Sequence, residues 1–360
     1  MNDRVLLSRR EIVWRQFKKH KLGLIGGIML IILYTGAIFA PFIAPYSFME
    51  QNRRKTFHPP TRIHFIDEKG HFSIRPFVYS YKMSNPVYKK YKEVKTKKYF
   101  VRFFVKGSKY RLFGLIPLNI HLFGVDKGGY IFLFGTDKFG RDLFTRILYG
   151  SQISLSVGFI GIFISFIIGA IFGGISGYFG GWIDNIFMRF AEIIMSFPSL
   201  YLLLALRAML PSTLPSTTVY LLIIFILSFI SWPGFSRVIR GLVLSIKEQD
   251  FTYAAKATGA SDFYIIVKHI LPNTMTYIII AGTLSIPYYI LMESGLSFLG
   301  LGIQEPLASW GNMLIDAKNT RVLTSFPWML VPGVFIFITI LAFNFLGDAL
   351  RDAFDPKMRT

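Results

Sequence analysis

Apolar residues in this chain gather into six blocks, at about 22–44, 153–176, 186–210, 218–235, 275–298 and 328–346. Each approaches the length that a helix rising about 1.5 Å per residue needs to cross roughly 30 Å of hydrocarbon. The pattern predicts an all-α polytopic membrane protein with six transmembrane helices. Between the first two blocks the chain turns polar over 45–146, where alternating pieces such as 72–79 (FSIRPFVY) and 98–106 (KYFVRFFVK) predict short strands in an extra-membrane insertion. A second polar island, 250–272 (DFTYAAKATGASDFYIIVKHILP), separates the fourth and fifth blocks. It reads as a helix, a glycine break and another helix. Asp250 caps a helix over 251–258, Gly259 takes the left-handed conformation that ends it, Ser261 caps the next, and Pro272 stops that one.

The resulting organisation is a leader at 1–21, a first span at 22–44, the insertion at 45–146, a five-helix core at 147–350 with a polar loop at 236–273, and a tail at 351–360. The leader carries Arg4, Arg9, Arg10, Arg15, Lys18, Lys19 and Lys21, which places the N-terminus in the cytoplasm by the positive-inside rule. The first apolar block is too long for a cleaved signal peptide, and no small-residue cleavage site follows it. An even number of spans returns the C-terminus, with Arg351, Lys357 and Arg359, to the same side as 250–272, and puts 45–146 opposite. Turn chemistry at Gly180 and Gly181 and at 211–215 separates neighbouring spans. The second span is rich in glycine (Gly158, Gly161, Gly169, Gly173, Gly174, Gly177), which suits close helix packing in lipid; a pore-lining surface is the other reading.

Composition narrows the chemistry. The chain is 52% hydrophobic and only 17% charged, below the quarter or so usual in soluble domains. Its formal net charge of +20 lies in the leader, the insertion and loops beside apolar blocks, with no nucleic-acid-binding motif, so lipid surfaces rather than nucleic acid account for it. With no Cys there is no disulfide framework and no thiol chemistry. No G-x-x-x-x-G-K-[ST] loop is present to hold ATP, and no H-E-x-x-H or nucleophile elbow appears, which argues against an enzyme. Asp184, Arg189, Glu192 and Glu293 are the candidate functional ionisable groups within or beside spans. They read as structural pairs, or alternatively as parts of an ion-coupled secondary transporter or channel.

The 250–272 island resembles the cytoplasmic "EAA" loop of binding-protein-dependent ABC importer permeases. Ala254, Ala255, Gly259, Leu271 and Pro272 stand at matching positions, while Tyr253 replaces the family Glu and His269 the family Ile. Further stretches, 135–142 (GTDKFGRD), 293–302 (ESGLSFLGLG), 309–311 (SWG) and 344–356 (NFLGDALRDAFDP), resemble the dipeptide/oligopeptide/nickel permease family, and its second, C-type subunit in particular; 304–306 reads QEP where a double proline is common. The resemblance implies a type I importer permease in a prokaryotic inner membrane. Its partners would be a second homologous permease, two ABC ATPase subunits, which hold ATP and Mg, and an extracytoplasmic solute-binding protein. This chain would bind no cofactor itself, and peptides are the implied cargo.

The same resemblance assigns ATPase coupling to Asp250, Tyr253, Ala254, Ala255, Ala257, Gly259, Asp262, Leu271 and Pro272, with Tyr253 as an aromatic anchor or packed on its own chain. It places Glu293, Leu296, Ser297, Phe298, Gly300 and Gly302 near the translocation path or its outer gate. It marks Thr136, Asp137, Gly140, Arg141 and Asp142 as an extracytoplasmic motif, in which Asp137, Arg141 and Asp142 are expected to form an ion pair or to meet the binding protein.

Overall fold

A computed structural model describes residues 9–355 except residue 212. Arg4, Lys357, Arg359 and Pro356, named above in the leader, the tail and the last family motif, lie outside the described residues. In chain order the helices are α1 (Arg9–Lys19), α2 (Lys21–Ile38), α3 (Ala40–Ile43), α4 (Leu143–Phe179), α5 (Gly181–Met195), α6 (Ser199–Ala208), α7 (Ser216–Ile246), α8 (Asp250–Ala257), α9 (Asp262–Tyr264), α10 (Leu271–Phe298), α11 (Trp310–Met313), α12 (Thr320–Ser325) and α13 (Val331–Phe354). The strands are β1 (His64–Ile66), β2 (Phe72–Asn85), β3 (Lys90–Leu112) and β4 (Ile116–Val125).

Among the described residues, five helical stretches are long and apolar enough to cross a membrane, and a sixth crossing is available if the bent pair α5–α6 is one span. The third block is therefore not the straight helix that its hydropathy suggests. It bends by 84° between α5 and α6, where Pro198 adopts an extended ψ of 125° ahead of α6. Proline has no amide hydrogen to continue the ladder, and it drives the residue before it out of helical geometry. The fourth span also exceeds its predicted end at 235, because α7 runs to Ile246 with Pro233 inside it. Ser236, Ile239, Val243 and Ile246 stay buried at helical spacing, so packing carries the helix on into what read as loop. Likewise α13 continues to Phe354 and takes Arg351 out of the tail.

The fifth span departs most from expectation. Pro272 does not stop a helix: the chain winds through a π-helical stretch, Ile265–Ile270, and continues as α10 to Phe298. Leu271 donates to the Ile266 carbonyl five residues back, and Asn273 Nδ2 caps the His269 carbonyl at 2.6 Å. The wider turn gives the proline ring room.

The chain falls into two compact units. The first lies within Met1–Ile31, Ser156–Leu296 and Phe337–Thr360. Its glycines pack as the small-residue pattern predicts. A Cβ at Gly169, Gly173 or Gly177 would come within 2.9 Å of Phe235 Cβ, 2.4 Å of the Ser236 carbonyl and 2.8 Å of the Arg240 carbonyl on α7. Gly161 meets the Tyr289 ring on α10 in the same way, at 2.6 Å. Backbones this close gain dispersion contacts that lipid tails cannot replace.

The second unit is Ile32–Leu155 with Ser297–Ile336. Its antiparallel sheet runs in the order β1-β2-β3-β4, and the two predicted strands are parts of the much longer β2 and β3. Segment 297–336, distant in sequence, shares this unit through a core of Leu143, Ile147, Ala308, Met313, Phe326 and Met329. Phe57 stacks on Phe326 with ring centroids 4.3 Å apart.

Candidate functional site

In the first unit the residues of the 250–272 island lie on successive elements: α8, α9, the π-helical stretch and the start of α10. Helix α8 starts at Asp250, not after it: Gln249 is the N-cap and no side chain caps the helix. Asp250 instead lies in the first turn, where its charge suits the exposed amide end of the helix. Thr252 is buried and ties α8 to α7 by donating to the Ile246 carbonyl at 3.1 Å. The helix ends as expected at Gly259, whose φ is +81°. The Gly259 amide bonds to the Lys256 carbonyl at 3.0 Å and that of Ala260 to the Ala255 carbonyl at 3.1 Å, the paired closure a left-handed residue permits. Ser261 then caps α9 by accepting from the Tyr264 amide, and Asp262 accepts the Tyr178 hydroxyl at 2.6 Å.

This loop presents an unusual surface. Tyr253 is half exposed and donates its hydroxyl to Glu248, a bond that raises the phenol above its ordinary pKa. Phe251, Phe263 and Tyr264 are also exposed, beside the open methyls of Ala254 and Ala257, while Ala255 and Leu271 are half-buried and Pro272 is exposed. Aromatic and small residues exposed on a short helix offer large contact area at low entropic cost, the make-up of an interface anchor.

In the same unit, Arg189 pairs with Glu192 at 3.0 Å as expected, and Glu192 also accepts from Arg237 at 3.0 Å. Asp184 takes both arms of Arg240. Glu293 is fully buried and accepts from Ser294 at 3.3 Å. Leu296, which follows on α10, is buried as well.

The second unit holds the 135–142 motif, whose backbone two glycines allow. Gly135 and Gly140 both have positive φ, and a Cβ on Gly140 would stand 2.0 Å from the Asn52 carbonyl oxygen. Thr136 is buried, accepts from the His58 amide at 2.8 Å and donates to the Lys55 carbonyl. Asp137 accepts from the amides of Phe139 and Arg141 at 2.8 and 3.0 Å and from Arg141 Nε at 2.7 Å. Arg141 then grips Glu305 with both terminal nitrogens, at 2.6 and 2.8 Å, and Arg146 adds a bond to Glu305 at 3.1 Å. Burial favours the neutral form of Glu305, yet the two guanidiniums outweigh it and hold the carboxyl below its usual range.

Asp137 and Arg141 therefore pair, but Asp142 does not join them. It caps α4, accepting from the Thr145 amide at 2.9 Å and hydroxyl at 2.7 Å, while its Oδ1 has no hydrogen-bond partner among the described residues. Burial pushes its carboxyl up to about 7. The folded group thus keeps its proton to higher pH than the unfolded one, so the stability it contributes is complete below the ordinary value of 3.8 and lost as pH rises through about 7. Asp142→Asn keeps a capping oxygen and removes the titration. Thermal unfolding between about pH 5 and pH 8 is expected to weaken the parent protein and to leave the variant's midpoint nearly level; an equal decline in both would refute this.

Ser297, Phe298, Gly300 and Gly302, expected near the path or gate, also lie in this unit. Ser297 Oγ accepts from the Ile303 amide at 3.0 Å, Gly300 turns the chain with φ +86°, and Gly302 sits where a Cβ would be 2.1 Å from Ser297 Oγ. The backbone past α10 therefore folds back on the end of that helix. Lys318 lies over the Phe298 ring at 4.8 Å. Gly300, Asp137, Arg141, Arg146 and Glu305 line a cavity of about 370 Å³.

Sequence reasoning missed Glu305 and Arg146. The only signals were a carboxylate in place of a common proline and two arginines five positions apart, and neither spacing says that they meet across more than 150 residues.

Helices long and apolar enough to cross a membrane, packed closely through glycine and joined by a short exposed polar helix, are the make-up of a membrane transport subunit. Residues 167–360 match the family described as binding-protein-dependent transport system inner membrane component, and residues 8–60 match the N-terminal TM domain of oligopeptide transport permease C. The chain belongs to this family of inner-membrane permeases. It is 36% identical to the dipeptide transport system permease protein DppC of Bacillus subtilis, over 98% of this chain and 87% of that one. It is 32% identical to the oligopeptide transport system permease protein OppC of the same organism, over 99% and 94%. A solved structure of the MetNI methionine ABC transporter aligns with 58% of this chain and 97% of its own, at 18% identity and a TM-score of 0.42.

Proposed function

We propose that this chain is the C-type permease of an ATP-driven importer of di- or oligopeptides. It forms the path across the membrane with a second, homologous permease. Two ABC ATPase subunits bind ATP and Mg and drive it, and an extracytoplasmic solute-binding protein feeds it. Its termini and the α8 loop face the cytoplasm, and the β-rich insertion faces the other side. The peptide cargo is inferred from the relatives whose names specify dipeptide or oligopeptide transport.

The observation that carries the reading is α8 with its glycine closure. A subunit without a nucleotide site receives work only through a rigid contact, and α8 is short, capped by Gly259, tied to α7 through Thr252 and covered with exposed Tyr253, Ala254 and Ala257. ATPase closure would push this lever and, through α7 and the unbroken run from Asp262 to Phe298, reorient the spans.

The chain has no native Cys, so Tyr253→Cys or Ala257→Cys gives a single reactive site. In an intact, transporting complex either variant is expected to crosslink to an ATPase subunit, with a yield that changes on adding ATP. Active complexes that never yield this crosslink would overturn the assignment.

A further inference from the structure

The sheet of the second unit ends in an apolar tip that stays largely exposed. β3 and β4 are joined by Phe113-Gly114-Leu115, with Phe113 at φ +53° and Gly114 at +71°, a tight turn of the kind that suits twisted hairpins. Phe113 is 58% exposed, Leu115 82% and Ile116 50%. A left-handed backbone is a strained choice for a bulky residue, so Phe113 is held there by its surroundings. β4 is two-faced. His121 is buried and bonded to the Ala44 carbonyl just after α3, whereas Ile116 and Ile120, on the alternate face, are exposed. The arms also carry Lys106, Lys109 and Arg111, all exposed.

The contacts of this hairpin say what covers it. Phe113 meets Phe39 edge-on at 5.8 Å, and Phe104 lies 6.3 Å from Phe42. Phe39 follows directly on α2, whose 18 residues span about 27 Å at 1.5 Å per residue, close to one hydrocarbon thickness. The end of α2, and therefore the hairpin tip against it, falls at the boundary between acyl chains and headgroups. Ile32 and Ile38 on α2 are exposed, as is Phe39, which Phe113 meets. Cations just behind an apolar tip match anionic headgroups just outside the acyl region.

We propose that the β3–β4 hairpin is a lipid-seated foot. Phe113, Leu115 and Ile116 enter the bilayer interface beside α2, and Lys106, Lys109 and Arg111 engage anionic headgroups. The insertion is thereby anchored to the membrane surface. The inference rests on α2 being a membrane span and requires nothing about cargo.

The test uses the full chain in vesicles of phosphatidylethanolamine and phosphatidylglycerol, with a fluorophore on single cysteines at Leu115→Cys, Val87→Cys and Ile28→Cys. Val87 is an exposed residue of the β2–β3 turn, and Ile28 is exposed on α2. Lipids brominated in the acyl chain are expected to quench Leu115→Cys at least about twofold more than Val87→Cys, as for a group set several ångströms into the interface. Aqueous iodide should show the reverse order. Lys109→Glu with Arg111→Glu should reduce lipid quenching at Leu115→Cys. Iodide quenching at 115 equal to that at 87, or protection at 115 from both quenchers, would overturn the proposal. Ile28→Cys separates the two levels: its failure to respond to brominated lipid would instead sink the reading of α2 as a span.

Discussion

Gly259→Pro combined with Ala255→Trp is expected to reduce ATP-dependent uptake by more than about tenfold while the protein still inserts into the membrane, a loss of coupling equal to roughly 1.4 kcal/mol or more. Gly259 has φ +81°, and no atom lies within 4 Å of a Cβ built on it, so crowding is not the issue. Proline fixes φ near −65° and removes the amide that bonds to Lys256, so both elements of the closure fail together. Tryptophan at half-buried Ala255 enlarges the residue whose carbonyl receives Ala260 and alters the face α8 presents. The spans themselves are untouched, because their apolar surface still drives insertion. Uptake in vesicles containing the whole complex, with the variant's abundance measured alongside, decides the matter. Normal uptake at normal abundance would show that α8 does not transmit work.

The second large effect belongs to Asp137. Its carboxylate is 4% exposed, and Asp137→Ala strips Arg141 of a partner and leaves the amides of Phe139 and Arg141 without their acceptor. Breaking a buried pair from one side costs about 3–5 kcal/mol, more than the pair is worth intact. Glu305→Gln offers the comparison. Glu305 also meets both arginines, but its side chain is 49% exposed, so water takes over much of the lost interaction and the cost drops to about 1–2 kcal/mol. Unfolding midpoints of the purified protein should therefore fall much further for Asp137→Ala than for Glu305→Gln. Asp137→Ala with Arg141→Met should recover part of the loss, since no charge is then stranded. Equal shifts for the two single variants would mean that the cluster is more open to solvent than its burial shows.

Different physical causes separate what was readable from what was not. The spans were legible because about 30 Å of hydrocarbon imposes a length and a composition that few other structures share. The glycine closure of α8 was legible because a left-handed residue after a short helix is a local property, written in the neighbouring residues. Three local rules failed. Pro272 was accommodated by a π-helical turn, and α8 starts from Gln249 with no side-chain cap rather than from a capping Asp250. The end of α7 was extended by packing at Ser236, Ile239, Val243 and Ile246, where burial outweighs a local preference of about 1 kcal/mol. Glu305 and Arg146 were invisible for another reason: two charged residues separated by 159 positions carry no mutual signal in a single sequence.

The amino-acid order by itself determined a six-block membrane chain, a glycine-broken polar helix and a basic strand-rich insertion. Length, hydropathy and backbone permissiveness act within a few neighbouring residues, so they can be read without a fold. Only the tertiary structure decided that the third block bends by 84°, that 297–336 shares a core with the insertion, that Asp142 caps a helix while Asp137 and Glu305 hold the arginines, and that an apolar hairpin tip lies beside the end of α2. Those outcomes depend on which distant surfaces meet, and burial and charge neutralisation are properties of the meeting rather than of either segment.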